Sequence, residues 1–396
     1  MRDTPTIELV VVQPTPFCNI DCKYCYLPNR SVKRVIERRT LENLFVKLFA
    51  SGWAVPDVTI IWHAGEPLVL PIAFYREAFD LIEALRPPGI AVSHSMQTNG
   101  MLISGEWCDF FTERQVRIGV SIDGPQRIHD RQRVTRSGRG TFARTIRGIR
   151  LLRERHMPFH VISVLSRESL DAAQEFYDFY VSEGIDQVCF NVEESEGDHV
   201  SKMLADGDAQ TRYRAFLGRF WQLARAGEAI QFIREIDGML PKIFRPNEAA
   251  VHNPQTEPFA ILNVDCAGNV STFSPELLGH KHDLYSDFLI GNVNDDTFDA
   301  MLASPALAAM QRDIAAGVEA CRAECGYFSV CGGGAPANKL SENGSFHSTA
   351  TGFCRLTEMA VTDLVLASFE RAERMLDGGG AQAVLDRARA LTAAPA

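Results

Sequence analysis

Phe17-Cys18-Asn19-Ile20-Asp21-Cys22-Lys23-Tyr24-Cys25 sets three thiols in one short loop, with Cys-x3-Cys-x2-Cys spacing and an aromatic before the last. Three is the informative count. A structural zinc or a plain electron-transfer cluster takes four protein ligands, whereas three leave one iron of a cluster open to a ligand that is not protein. An apolar run at 8–15 leads straight into the loop, so a strand delivers it.

Outward from that loop, strand patterns at 58–62, 91–98, 116–122, 159–165 and 187–192 alternate with helical patterns at 40–50, 72–85, 105–112, 142–154 and 169–183. Hydrophobic strands, each followed by an amphipathic helix, predict a parallel sheet covered by helices. Eight units would close a barrel. Six predict an α/β fold with a partial (β/α)6 TIM-like barrel, open on one side. The reactive loops of such folds leave the C-terminal strand ends. Trp62-His63-Ala64-Gly65-Glu66-Pro67, Gln97-Thr98-Asn99-Gly100 and Ser121-Ile122-Asp123-Gly124-Pro125 also end strands, so four polar or glycine-rich segments converge on one mouth. Past residue 195 the alternation stops. Helices are expected at 208–226 and 228–244, short strands at 259–264 and 269–273, and helices at 356–376 and beyond the three glycines at 378–380. The expected division is a barrel at 1–195, a helical bridge at 196–248, a cysteine-rich region at 249–354 and C-terminal helices at 355–396.

Nearly half of the 396 residues are hydrophobic, enough for a large core. A net charge of −10 argues against a general nucleic-acid binder. No stretch reaches the length of a membrane span, and Met1-Arg2-Asp3-Thr4-Pro5 has no signal-peptide architecture. A reducing, cytoplasmic setting follows, in which ten clustered cysteines read as metal ligands rather than disulfides.

The cysteine loop after the first strand, with Tyr24 inside it and Gly65-Glu66-Pro67 after the second, resembles the radical S-adenosylmethionine superfamily. The resemblance implies a [4Fe–4S] cluster on Cys18, Cys22 and Cys25, with S-adenosylmethionine on the fourth iron. One electron from the cluster breaks a carbon–sulfur bond, and the resulting 5′-deoxyadenosyl radical abstracts an unactivated hydrogen. Tyr24 would pack beside the cluster. Gly65 and Glu66 match the segment whose backbone receives the methionyl amino group, and Ser121 a polar contact to the ribose or carboxylate. Gln97 and Asn99 could reach cofactor or substrate. His63 reads as a packed histidine, and the arginine-rich stretch 127–155 as a solvated face rather than a dock for an acidic leader peptide. The bland alternative for the triplet is a zinc site completed from afar.

Cys321, Cys325, Cys331 and Cys354 offer four thiolates, a full set for one auxiliary [4Fe–4S] cluster or one zinc. The spacing resembles the SPASM extension of peptide-modifying radical enzymes, which holds two auxiliary clusters on a Gly-x4-Cys and a Cys-x2-Cys-x5-Cys-x3-Cys pattern with a final Cys. The first spacer here is three. Phe273 stands where Gly-x4-Cys would end and Ala335 where x3-Cys would end. Both missing ligands belong to the inner auxiliary cluster, so two clusters in total are expected. Cys108 and Cys189 read as core, and Cys266 as a buried packing residue or, alternatively, a residual functional thiol near the vacated inner site.

Gln13–Asn19, Cys25–Ser31 and Phe273–Leu278 together resemble the cyclophane-forming maturases of glycine-rich-repeat precursor peptides. That resemblance implies a crosslink between an aromatic ring carbon and a side-chain β-carbon two residues along, closing a three-residue ring. One electron and one proton must then leave; the outer cluster is a candidate acceptor and Glu276 the candidate base. The implied partners are a precursor peptide, glycine-rich with aromatic three-residue motifs, and an electron donor such as flavodoxin or ferredoxin. The runner-up is a sulfatase-type maturase oxidising Cys or Ser to formylglycine; its base follows the inner-cluster cysteine, where this chain has Phe273 and Ser274. A third reading is a non-catalytic peptide-binding scaffold with zinc at both cysteine groups. The strand pattern begins at Glu8, so leader recognition is expected in the barrel, in the C-terminal region or from another protein.

Overall fold

Val10 and Val12 in the first strand have no exposed surface, and the same is true of Val58, Ile60 and Trp62 in the second. Alternate residues of each strand thus face the helices, the two-residue period of a sheet covered on one side. These positions come from a computed structural model that describes residues 4–197, 199–244 and 251–376. The strands are β1 Ile7–Val12, β2 Ala54–Trp62, β3 Ala91–Thr98, β4 Arg117–Ser121, β5 Phe159–Leu165, β6 Gln187–Val192, β7 Phe232–Ile233, β8 Ile261–Val264, β9 Asn269–Thr272 and β10 Gly291–Asn292. The helices between β1 and β6 are α1 Arg38–Ser51, α2 Ile72–Leu85, α3 Gly105–Glu113, α4 Gln126–Gln132, α5 Phe142–Glu154 and α6 Ala173–Glu183.

The strands form one sheet in the order β10-β9-β8-β1-β2-β3-β4-β5-β6-β7. β1 to β7 pair in parallel along it, and β8 joins β1 in parallel before turning back into β9. The two ends of the order do not pair with each other, so the α/β barrel is partial and open. It differs from the expectation in extent. The hairpin of the cysteine-rich region does not stand apart but continues the barrel sheet at the β1 edge.

Aromatic packing fixes the helix layer. Trp62 meets the Tyr75 ring edge-on at 5.3 Å and lies stacked on Phe79 at 5.7 Å. Phe190 of β6 packs edge-on against Phe216 at 5.3 Å and Phe220 at 4.9 Å, both from the helix Ala209–Gly227. The opposite, concave face of the barrel strands carries Gln97, Ser121 and His160, all only half-buried. It is the face left open for ligands.

Two expectations need correction after β6. The stretch 228–244 is not one helix: Phe232–Ile233 first adds a strand to β6, and the helix runs Arg234–Ile243. The helix expected at 356–376 begins with a π turn, Arg355–Ala360, before the α-helix Val361–Leu376. The break at 245–247 and the tail beyond 376 lie outside the described residues. Among these residues no helix is long and apolar enough to cross a membrane.

Phe190→Ala removes a ring held by Phe176, Phe216 and Phe220 at once. Loss of about 3–5 kcal/mol is expected for a large-to-small change in such a core, read as a lowered midpoint in anaerobic urea unfolding.

Candidate functional site

The cysteine loop is pinned from three sides. Gly65, at φ +85°, lets the end of β2 press on it; a Cβ there would lie 2.3 Å from the Thr15 carbonyl oxygen and 2.9 Å from that of Phe17. Only glycine fits that approach in that conformation. The neighbouring Glu66 backbone N–H donates to the Phe17 carbonyl at 2.9 Å. From the β4 side, Ile20 bridges Thr135, Asp21 N–H donates to the Val134 carbonyl and Lys23 N–H to that of Gln132. The Arg136 guanidinium donates to the carbonyls of Cys18 and Arg30.

Behind the loop lies a buried ion network. Asp123 has no exposed surface; it accepts from the Tyr24 hydroxyl at 2.6 Å and from Val164 N–H at 3.0 Å, and its carboxylate is 3.0 Å from Arg133 Nε. Arg133 Nη1 reaches to 4.0 Å from Cys22 Sγ, and the guanidinium lies 5.5 Å from the centre of the Tyr24 ring. Burial works against the charge of Arg133, but Asp123, Tyr24 and Cys22 hold its pKa above the usual value. Burial also pushes the thiols of Cys18 and Cys22 up to about 12. A bound iron cluster is the kind of positive charge that ionises such thiols.

Cys18, Cys22, Tyr24 and Cys25 pack into one small cluster with Ile20 and Met101. Tyr24 thus lies beside the thiols. Gln97 Nε2 donates to Ser121 Oγ at 2.9 Å, bringing those two residues together on the concave face. Gly119 between them makes room: a Cβ there would meet Gln97 Oε1 at 2.1 Å and His160 Nε2 at 2.7 Å. Asn99 is largely committed, since its side chain donates to Asn19 Oδ1 at 2.7 Å and accepts from Met101 N–H at 3.1 Å. Glu66 is more so. Its carboxylate accepts from Leu68 N–H, the Thr98 hydroxyl and Asn99 N–H at 3.0, 2.7 and 2.8 Å, tying the ends of β2 and β3 together. Burial raises its pKa, offset by those bonds. His63 is held neutral, with its pKa lowered by burial to about 4, and its Nδ1 is buried without a hydrogen bond.

Glu276 does not stand alone. Glu194 and Glu196, just past the end of β6, and the phenol of Tyr26 share its surroundings, within electrostatic reach of Cys25. Glu194 and Glu196 are neighbours, and the charge of Glu194 adds to burial in raising the pKa of Glu196. Asn338 donates to Glu194 at 2.6 Å, and the Ser274 hydroxyl donates to Glu276. Burial is the first cause that raises all three carboxyls; Glu194 is pushed up to about 8, with added repulsion from Glu276. Sequence reasoning missed Glu194 and Glu196. The available signal was position, because they follow directly on a strand end.

Cys321, at the end of the helix Pro305–Glu324, Cys325, Cys331 and Cys354 all line one cavity of about 240 Å³. Lys339, itself buried, lies at its edge and donates to the Gly317 carbonyl at 2.9 Å. Four thiols around one cavity supply a full ligand set for a [4Fe–4S] cluster. Ala335 borders the same cavity without offering a ligand, and Phe273 is fully buried at φ +73°. Cys108, Cys189 and Cys266 are buried. Of the arginine-rich stretch, Arg127, Arg150 and Arg155 form exposed ion pairs with Glu175, Glu183 and Asp109, while Arg133 is only 6% exposed.

The family model of the radical SAM superfamily matches residues 12–180. An uncharacterised protein of Synechocystis sp. is 40% identical over 92% of either chain. A serine-type anaerobic sulfatase-maturating enzyme of Bacteroides thetaiotaomicron is 25% identical over 84% of this chain and 83% of its own. In fold, the chain is similar to native anSMEcpe with bound AdoMet, with a TM-score of 0.74, 20% identity and coverage of 92% and 98%. It is also similar to Streptococcus suis SuiB bound to precursor peptide SuiA, with a TM-score of 0.58, 15% identity and coverage of 88% and 76%.

The two cysteine groups are expected to load independently. Anaerobic reconstitution of Cys325→Ala should leave about half the iron and sulfide of the parent, as should Cys22→Ala, with the double variant near zero. Zinc without sulfide in the parent protein would refute the cluster assignment.

Proposed function

Since the chain belongs to the radical S-adenosylmethionine superfamily, we propose that it matures a ribosomally made peptide by closing a three-residue cyclophane. Cys18, Cys22 and Cys25 would hold the [4Fe–4S] cluster that binds S-adenosylmethionine, and Cys321, Cys325, Cys331 and Cys354 one auxiliary cluster. When bound, the first cluster with S-adenosylmethionine supplies the one-electron chemistry that removes an unactivated hydrogen. Gln97 and Ser121 would meet the cofactor from the concave face, and the backbone at Gly65 and Glu66 its amino group.

The observation that carries this reading is the carboxyl group of three: Glu194, Glu196 and Glu276. Joining an arene to a β-carbon loses two hydrogens per ring, one of them as a proton from the ring carbon. A base must therefore stand beside the radical site with its pKa near the working pH. Loss of solvent raises the pKa of all three, and that of Glu194 to about 8. Glu276, three residues past the lost inner ligand at Phe273, is the acceptor in this reading, and its charge raises the proton affinity of Glu194 and Glu196. The proposed substrate is a glycine-rich precursor with aromatic three-residue motifs. The fold neighbour SuiB is itself described with a precursor peptide. Sulfatase-type maturation is the second reading, favoured by relatives of that name at 25–28% identity.

Co-expression with a small glycine-rich peptide encoded nearby, followed by tandem mass spectrometry, tests the reading. The expected product lacks two hydrogens per ring and resists fragmentation inside a three-residue window. Capture by an aldehyde reagent would instead establish formylglycine. For the base, Glu276→Gln should slow crosslinking by about 100-fold or more. The rate should rise with pH as the carboxyl group ionises. Ser274→Ala removes a hydrogen bond that favours the ionised carboxyl, so the midpoint should move to higher pH; an unmoved profile would separate Glu276 from the base.

A further inference from the structure

Lys339, on the helix Pro336–Asn343, is only 3% exposed and lines the cavity of Cys321, Cys325, Cys331 and Cys354. Lysine is almost never buried so far unless its charge is paired. Its partner among the described residues is a carbonyl and not a carboxylate: the ammonium donates to Gly317 at 2.9 Å. The anion it faces is therefore the thiolate set itself, which carries net negative charge with a cluster bound. Other donors turn toward the same sulfurs. Gly332, Gly333 and Gly334 have φ of +68°, +109° and +76°, and this turn aims the N–H groups of Gly333 and Gly334 at the Cys331 sulfur. Thr351 N–H donates to Cys354 Sγ at 3.2 Å. One anion opposes them. Glu358 lines the cavity, its charge raises the pKa of the Cys331 thiol, and it is paired with Lys242 at 3.2 Å.

We propose that Lys339 tunes the auxiliary cluster: its buried charge holds the reduction potential up, so that the site is an acceptor of one electron. Reduction adds one negative charge to the cluster and makes or breaks no bond. A fixed neighbouring cation stabilises that added charge, and hydrogen bonds to the sulfurs act in the same direction. The donor in the proposed reaction is the substrate radical, which is oxidised by one electron as its ring proton leaves. A lysine present only to join its helix to Gly317 would be replaceable by any donor of similar reach, charged or not. The inference rests on the auxiliary-cluster reading of the four cysteines, and holds whichever peptide oxidation supplies the electron.

The test reads a potential and needs no peptide. Full-length Cys22→Ala, in which only the auxiliary group is expected to load, is reconstituted anaerobically and titrated with redox mediators, the reduced cluster being followed by electron paramagnetic resonance. Adding Lys339→Gln keeps an N–H donor but removes the charge. The reduction equilibrium constant should fall by about tenfold or more, which for one electron lowers the midpoint by about 59 mV. Adding Glu358→Gln instead should move the midpoint the opposite way. A packing defect has no reason to follow the sign of the charge removed. With iron and sulfide content intact, an unmoved midpoint in Lys339→Gln, or downward shifts in both variants, overturns the proposal and leaves the cluster assignment standing. Absence of iron and sulfide from Cys22→Ala refutes the auxiliary cluster itself, and the proposal with it. Where Lys339→Gln cannot hold the cluster, Lys339→Arg decides: a retained cluster with a midpoint near that of the Cys22→Ala parent supports the charge, and loss there too overturns it.

Discussion

Asp123 has no exposed surface, yet Tyr24 from the cysteine loop, Arg133 from the segment after α4 and Val164 N–H from β5 all converge on its carboxylate. A buried ion pair of this kind contributes little net stability over an apolar pair, because both charges had to leave water. Removing one partner is another matter, and strands a buried charge at a cost of about 3–5 kcal/mol. The network therefore acts as a constraint on arrangement. The loop after β1, the segment after β4 and strand β5 must come together in one way, or an ion is left unpaired. Arg133 then has a spare nitrogen near Cys22, and the thiols acquire a fixed positive neighbour.

The barrel was legible because its strands are apolar and regularly spaced. The patterns at 91–98, 159–165 and 187–192 are the observed β3, β5 and β6. Periodicity says less about which strands become neighbours, and β8 joining β1 is a tertiary fact with no local signature. At 228–244, helical spacing ran through a segment that pairing with β6 pulls into strand for two residues. Tertiary pairing there overrode local pattern.

The site was legible where chemistry demands rare residues at fixed spacing, and less so where common residues acquire a role by burial. Four distant thiols around one cavity follow from cysteine arithmetic. Arg133 does not, since in sequence it is one arginine among several that proved to be exposed. Glu194 and Glu196 were hidden differently. The strand-end rule had been applied to the first four strands and not to β6, although residues 193–196 follow it as directly as Gly65 and Glu66 follow β2.

The cysteine loop separates two opposite electrostatic settings. On its outer side, cations are exposed to solvent; on the side of Tyr26, three largely desolvated carboxyls crowd together. The second arrangement is intrinsically unfavourable, because desolvation and mutual repulsion both oppose ionisation. The raised pKa values of all three make the protonated form easier to keep there than at an exposed carboxyl. A group with a raised pKa can exchange a proton near neutral pH, whereas the cations on the outer side keep their charge at any working pH.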